Sequence, residues 1–338
     1  MGGFDMRGLQ HPVVVAPMAG GPSTPELAAA GTNAGGLGFI AAGYLTAAVL
    51  AERIRAARGL TTGALGVNLF APQPSAGTPA EIAAYASALA GESDRYGVAL
   101  GEPRYDDDDW SAKLEVVLEL RPEVVSFTFG LPDDDEVARL RGAGITTVAT
   151  VTTVEEAQLA VARGVDALAV QGPAAGGHRG TFDPGVHPAT QPLDQLLGEV
   201  LGAVDVPVAA AGGLTTGRDI AGVLAAGAVA VQLGTAFLLA DEAGSSPVHR
   251  TALQNPDFTE TVVTRAFSGR YARGLRNRFI AEHDADAPFG YPEIHYLTSP
   301  VRKASVAAGD PQGTNVWAGT GFRDIRTGSV AEIIAALI

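Results

Sequence analysis

Three apolar segments in the second half of the chain run straight into glycine, and one of them delivers a histidine. The first reads Val165-Asp-Ala-Leu-Ala-Val-Gln171-Gly-Pro-Ala-Ala-Gly176-Gly177-His178-Arg-Gly180. Val206-Pro-Val-Ala-Ala-Ala-Gly212-Gly213 and Ala228-Val-Ala-Val-Gln232-Leu233-Gly234-Thr235 follow it in order. Glycine at a strand end exposes backbone N–H groups and puts no Cβ in the way of an approaching ligand. N–H bonds to a charged oxygen are worth roughly 1.5–3 kcal/mol each, so the pattern suits a phosphate. His178 adds a group that exchanges protons near neutral pH, and a positioned general base is worth about 10²–10⁴ in rate.

Two earlier segments offer complementary chemistry. Ala16-Pro-Met18-Ala-Gly-Gly21 combines small residues with a methionine, which lets a flat aromatic ring lie close to the backbone. Asn68 ends the apolar run Val67-Asn-Leu-Phe70, and its amide can both donate and accept towards a ring system. The remaining histidines, His11, His187, His249, His283 and His295, carry no pattern that assigns them a function. Gly36-Leu-Gly38 has dinucleotide-motif spacing but opens a strand after a helix, the reverse of the order such a motif needs. Asp106–Asp109 lacks calcium-loop spacing and reads as a solvated lid surface. No metal site and no serine-hydrolase motif is visible.

The elements that would position these groups are legible as well. Near-continuous apolar runs at about 12–16, 37–42, 64–69, 123–129, 145–150, 165–171, 206–211 and 228–233 read as parallel strands covered on both faces. Helices fill the gaps: Thr24-Pro25 is a start signal, Thr153-Val-Glu-Glu156 a capping box, and Gly144, Gly164 and Gly227 stop signals. Eight β/α units fit a (β/α)8 TIM barrel in a single domain, with a doubly wound sheet as the alternative. Residues 71–122 read as a helical and acidic insertion after strand three, able to cover the mouth. The tail from Pro256 reads as a helical extension. In such a barrel the site lies at the C-terminal strand ends, and a phosphate commonly sits beyond strands seven and eight, where Gly212-Gly213 and Gly234-Thr235 fall.

Composition narrows the partners. The 338 residues carry 46% hydrophobic and 18% charged side chains, the balance of a folded core. Cysteine is absent, which removes disulfides and thiolate chemistry and is consistent with a cytoplasmic protein. A formal net charge of −14 argues against nucleic acid and anionic membrane as partners. Arg265, Arg270, Arg273, Arg276 and Arg278 read as a solvated or ion-paired segment near an anionic ligand. No leader peptide is visible. The uncharged stretch between Asp219 and Asp241 reads as a buried helix, turn and strand, not a membrane span.

Taken together, Ala16–Gly21, Asn33–Ile40, Gly66–Phe70, the Gln171–Gly180 loop, Ala211–Gly213, Gln232–Phe237 and Trp317–Gly321 resemble the nitronate monooxygenases over nearly the whole chain. The resemblance implies a TIM barrel that holds FMN non-covalently and oxidises alkyl nitronates with O2 to a carbonyl compound and nitrite. By the same resemblance Met18, Asn68, Gln171, Gly176, Gly177, Gly212, Gly213, Gln232, Leu233, Gly234 and Thr235 would contact FMN, and His178 would be the catalytic histidine. The chain departs from the family pattern at Pro173-Ala174 and at Thr128, where an acidic residue and a histidine are common. An FMN-dependent NAD(P)H:quinone or enoyl reductase is the alternative function.

Overall fold

Each of the eight apolar runs forms a strand, and the eight close into one parallel barrel. The computed structural model describes residues 3–338. The chain begins β1 (Val13–Val15), α1 (Pro25–Asn33), β2 (Leu37–Ala41), α2 (Ala47–Leu60) and β3 (Leu65–Phe70). Then come α3 (Pro79–Ala88), α4 (Ala90–Tyr96), α5 (Trp110–Leu120) and β4 (Val124–Thr128). α6 (Asp134–Gly142), β5 (Thr146–Val151), α7 (Val154–Arg163) and β6 (Ala167–Gln171) continue the alternation. A two-residue strand, β7 (Gly177–His178), precedes α8 (Leu193–Ala203), β8 (Val208–Ala211), α9 (Gly217–Ala225) and β9 (Ala230–Leu233). The remainder holds α10 (Pro247–Gln254), β10 (Thr261–Thr264), β11 (Ala272–Leu275), α11 (Arg278–His283), α12 (Glu293–Ala307) and α13 (Val330–Leu337).

The barrel order is β1-β2-β3-β4-β5-β6-β8-β9, closed by β1 against β9 with Val14 opposite Gln232. Its lower interior is filled by Met6, Val14, Leu37, Phe39, Val124 and Val148, all at most 5% exposed. Burying side chains of this size contributes about 1.5–3 kcal/mol each. The bottom is therefore solid, and the opening lies at the C-terminal strand ends.

Local signals work as the sequence suggests, with one exception. Thr24 caps α1, its hydroxyl accepting from Leu27 N at 2.9 Å with Pro25 in the first turn. Gly144, Gly164 and Gly227 each end a helix with positive φ. Thr153 caps α7, but its capping box is only half made. The Glu156 carboxylate turns instead to Thr152 N and Oγ1 (2.6 and 2.7 Å) and to Phe182 N (2.7 Å), because the loop after His178 brings an N–H that needs an acceptor.

Two regions differ from expectation. Within residues 71–122, α5 packs Trp110, Leu114 and Val117 into the same core as Phe127 of β4, so it is the barrel helix between β3 and β4. The added material is 71–109. The tail contributes a sheet as well as helices: β10, β11 and β7 pair antiparallel, with Ala272 opposite His178 and Arg273 opposite Gly177. Asp219–Asp241 forms α9, a turn and β9 as read, and among the described residues no helix is long and apolar enough to cross a membrane.

Candidate active site

The strand ends, the insertion and the tail enclose a cavity of about 1510 Å³. It brings together every residue that the sequence nominates: Met18, Asn68, Gln171, Gly176, Gly177, His178, Gly212, Gly213, Gln232, Leu233, Gly234 and Thr235. β1 supplies the segment of Met18, β3 Asn68, β6 Gln171, and β8 and β9 the glycine turns.

At the β8 and β9 ends the geometry favours an anion. Gly212 and Gly213 have φ of 106° and 76°, and a Cβ on Gly213 would lie 2.8 Å from that of Ala174. Only glycine adopts this turn without strain. The N–H groups of Gly213, Gly234 and Thr235 make no hydrogen bond to another described residue. Thr216 caps α9 just beyond, which adds the positive end of a helix. The tail braces the same turn, with Gly319 N donating to Thr235 Oγ1 at 2.9 Å and Thr320 N to the Ala174 carbonyl at 3.1 Å. Pro173 and Ala174 thus act through their carbonyls; that of Pro173 accepts from Arg273 Nε at 3.0 Å.

The two amides play narrower parts than their inventory allows. Asn68 Nδ2 donates to Ser126 Oγ (2.9 Å) and Thr128 Oγ1 (3.0 Å). Its Oδ1 remains, so Asn68 can only accept from a ligand. Gln171 clamps the glycine loop, Nε2 donating to the His178 carbonyl at 3.0 Å and Oε1 accepting from Gly180 N at 2.9 Å. Thr128 Oγ1 lies 3.4 Å from Thr150 Oγ1, so hydroxyls give the barrel mouth a polar but uncharged floor.

His178 faces the cavity from inside an aromatic cage. Phe129, Tyr291 and Trp317 lie with ring centroids 5.9, 5.7 and 5.5 Å away. Its Nε2 is 2.8 Å from the buried Ser268 hydroxyl, which also reaches the Arg270 carbonyl at 3.2 Å. Burial, then the positive charges of Arg270 and Arg302, push the imidazole down to about 3. The ring is neutral at physiological pH and becomes a better base once an anion binds beside it. Two non-glycine residues at this rim, Tyr44 and Phe129, have φ of 67° and 79°. Such strain collects at functional sites.

The structure also refines several sequence expectations. Asp107 and Asp109 are exposed, as a solvated lid surface requires, but the run is anchored too: Asp108 accepts from Tyr44 N (2.7 Å) and pairs with buried Lys113 (2.6 Å), Asp106 accepts from the Tyr296 hydroxyl (2.8 Å), and Asp109 from Ala47 N (2.9 Å). Closing the lid over the mouth demands partners for the carboxylates it brings in. The arginine segment is mixed. Arg276 and Arg278 form ion pairs with Glu260 and Glu92, but Arg270 is 1% exposed and lies 4.0 Å over the Phe129 ring without a carboxylate. His249 and His295 line the cavity although the sequence assigned them no function. His249 Nε2 donates to the Trp317 carbonyl at 3.0 Å, and burial lowers the ring to about 4.

The nitronate monooxygenase family model matches residues 5–338. A probable nitronate monooxygenase from Staphylococcus aureus (strain MSSA476) is 36% identical over 98% of this chain and 95% of its own length. The crystal structure of nitroalkane oxidase from Streptomyces ansochromogenes superposes with a TM-score of 0.94 at 48% identity, covering 98% of this chain and 96% of that one. FabK from Thermotoga maritima is similar at lower identity, with a TM-score of 0.75, 26% identity and coverage of 98% and 93%. With a family match along the whole barrel and tail, and the strand-end glycines and His178 gathered in one cavity, this chain belongs to the nitronate monooxygenase family of flavin-dependent oxidoreductases.

Proposed function

We propose that the chain binds FMN non-covalently in this cavity and oxidises alkyl nitronates, and more slowly nitroalkanes, with O2 to a carbonyl compound and nitrite. The observation that carries this reading is the convergence of unpaired strand-end N–H groups and a neutral, caged histidine in one cavity. The donor set fits the cofactor: Gly213, Gly234 and Thr235 would hold the phosphate, and Met18 and Asn68 Oδ1 would meet the ring. Bound flavin supplies the one-electron relay between nitronate and O2.

The protein's own groups do the remaining work. His178 orients the nitronate beside the ring and, for a neutral nitroalkane, takes the carbon-bound proton on the ring nitrogen that Ser268 leaves bare. Ser268 fixes the tautomer by its contact with Nε2. Phe129, Tyr291 and Trp317 exclude water around the imidazole.

The test is oxygen uptake by the flavin-loaded protein given propyl-1-nitronate without nicotinamide. Uptake with nitrite release supports the proposal. No uptake, with NADH bleaching the flavin instead, would replace it by the reductase reading.

A further inference from the structure

Arg270 is 1% exposed and stands beside the loop that carries His178, in contact with three separate segments. Its Nε donates to the Arg179 carbonyl at 3.3 Å, and Nη2 donates to the Thr181 carbonyl and, at 3.1 Å, to Thr181 Oγ1. Nη1 donates at 2.5 Å to Gln73 Oε1, on the inserted segment after β3. The guanidinium covers the Phe129 ring at 4.0 Å, just beyond β4. The backbone takes part as well. Tyr271 O accepts from Arg179 N at 2.8 Å, and the Arg270 carbonyl accepts from Ser268 Oγ at 3.2 Å. Ser268 spends its proton there, so its oxygen accepts from His178 Nε2, 2.8 Å away.

Arginine is a demanding choice for a buried corner. Every acceptor it meets is a neutral oxygen, and a cation taken out of water without a counter-charge carries a desolvation penalty. Burial lowers the guanidinium to about 10, so it stays charged at neutral pH. What arginine offers is shape: a planar fork of N–H groups that bonds several fixed acceptors at once, which the single ammonium of lysine does not match. Here the fork joins the loop after β6, the inserted segment and the aromatic cage of His178. Gln73 extends the tie, since its Nε2 donates to the Phe182 carbonyl while Phe182 N donates to Glu156 at 2.7 Å. Phe129, which the guanidinium covers, holds its left-handed φ of 79° with its ring 5.9 Å from that of His178.

We propose that Arg270 is a positioning residue that acts through His178: its fork fixes the place of the imidazole and, through the carbonyl that Ser268 bonds, selects the ring nitrogen that carries the proton. The inference rests on the nitronate reading above for its kinetic readout alone. With the Nε2 proton directed at Ser268, Nδ1 is the base that takes the carbon-bound proton of a nitroalkane. An imidazole that changes tautomer offers no base at that point, and a misplacement of about 1 Å costs about 10²-fold in rate. A nitronate has already lost that proton, so its oxidation tolerates the error.

The experiment uses the flavin-loaded wild type, Arg270→Met and Arg270→Lys, each with nitrogen-15 in its histidine rings. The His178 ring signals, identified by their absence in His178→Asn, are read by NMR at neutral pH, and turnover of 1-nitropropane and of propyl-1-nitronate is measured on the same samples. The wild type should show one tautomer, protonated on Nε2. Arg270→Met should show a mixture of tautomers, with kcat for the nitroalkane about 100-fold lower, KM within about threefold, and nitronate turnover within about threefold. Arg270→Lys keeps the charge but not the fork, so it should fall between the two, about tenfold down in nitroalkane kcat. It also carries the test if the methionine variant folds poorly. A wild-type His178 signal in the variants, or equal losses on the two substrates, would overturn the inference. A tautomer that depends on Arg270, in a wild type that turns over neither compound, would instead overturn the proposed reaction and keep the positioning role.

Discussion

Lys113, only 1% exposed, holds its ammonium 2.6 Å from Asp108 and so ties the lid to barrel helix α5. Burial raises the Asp108 carboxyl to about 6 even though Lys113 pulls it down. Lys113→Met should leave that carboxylate without its counter-charge and destabilise the fold by about 3–5 kcal/mol. The double variant Lys113→Met/Asp108→Asn should recover much of this in denaturant unfolding. Equal losses in both would show that the packing of α5, not the ion pair, is what matters.

Gly234 offers a clean probe of ligand approach. Its φ of −107° suits any residue, and an added Cβ would find its nearest neighbour, in Ala16, at 3.5 Å. Gly234→Ala should therefore fold normally yet retain flavin at least tenfold less tightly, read from bound flavin absorbance after dialysis. Full retention in the variant would remove Gly234 from the phosphate cradle.

Replacement of His178 by Asn should separate the two substrates. Nitroalkane turnover, which needs a proton acceptor, should fall about 10²–10⁴-fold, and nitronate turnover less than tenfold. Equal losses on both would show that the ring acts in orientation alone.

Three buried histidines, His178, His249 and His295, make stability depend on pH, the last held well below its ordinary value by burial. His178 and His249 are held near 3 and 4, below the ordinary value, so the unfolded chain binds more protons than the folded one in that window. Their contribution is complete above about 6.5 and is lost as pH falls towards the folded values, by about 1.4 kcal/mol per pH unit for each ring. Thermal unfolding between pH 7 and 4.5 should show this slope, and His249→Gln should reduce it. An unchanged slope would mean that these rings are not the groups that titrate.

The barrel was legible because buried parallel strands are written as continuous apolar runs, and all eight lie within two residues of where those runs end. The strand-end glycines were legible for a related reason: a turn such as Gly212-Gly213 leaves no choice of residue. The tail sheet was not. β11 is Ala-Arg-Gly-Leu, with neither alternation nor a β-branched residue, and it pairs with a strand of only two residues. Its register is set by contacts some 90 positions away, as with Ser268 and His178, and no local pattern encodes them. The anchoring of Asp106 and Asp108 was hidden likewise, because the partners Tyr44, Lys113 and Tyr296 come from three different segments. His295 and Arg302 did leave a faint signal: they stand seven residues apart on α12, two turns along one face.

The pairing of His178 with Ala272 also bears on how the protein is made. Met18 enters the cavity wall near the start of synthesis, whereas Gly319 and Gly321, which close the same wall, are made near its end. A nascent chain that has completed all eight barrel strands still lacks Ser268, Trp317 and the loop that braces Thr235. The cavity wall is therefore complete only once residues 317–321 have joined the barrel.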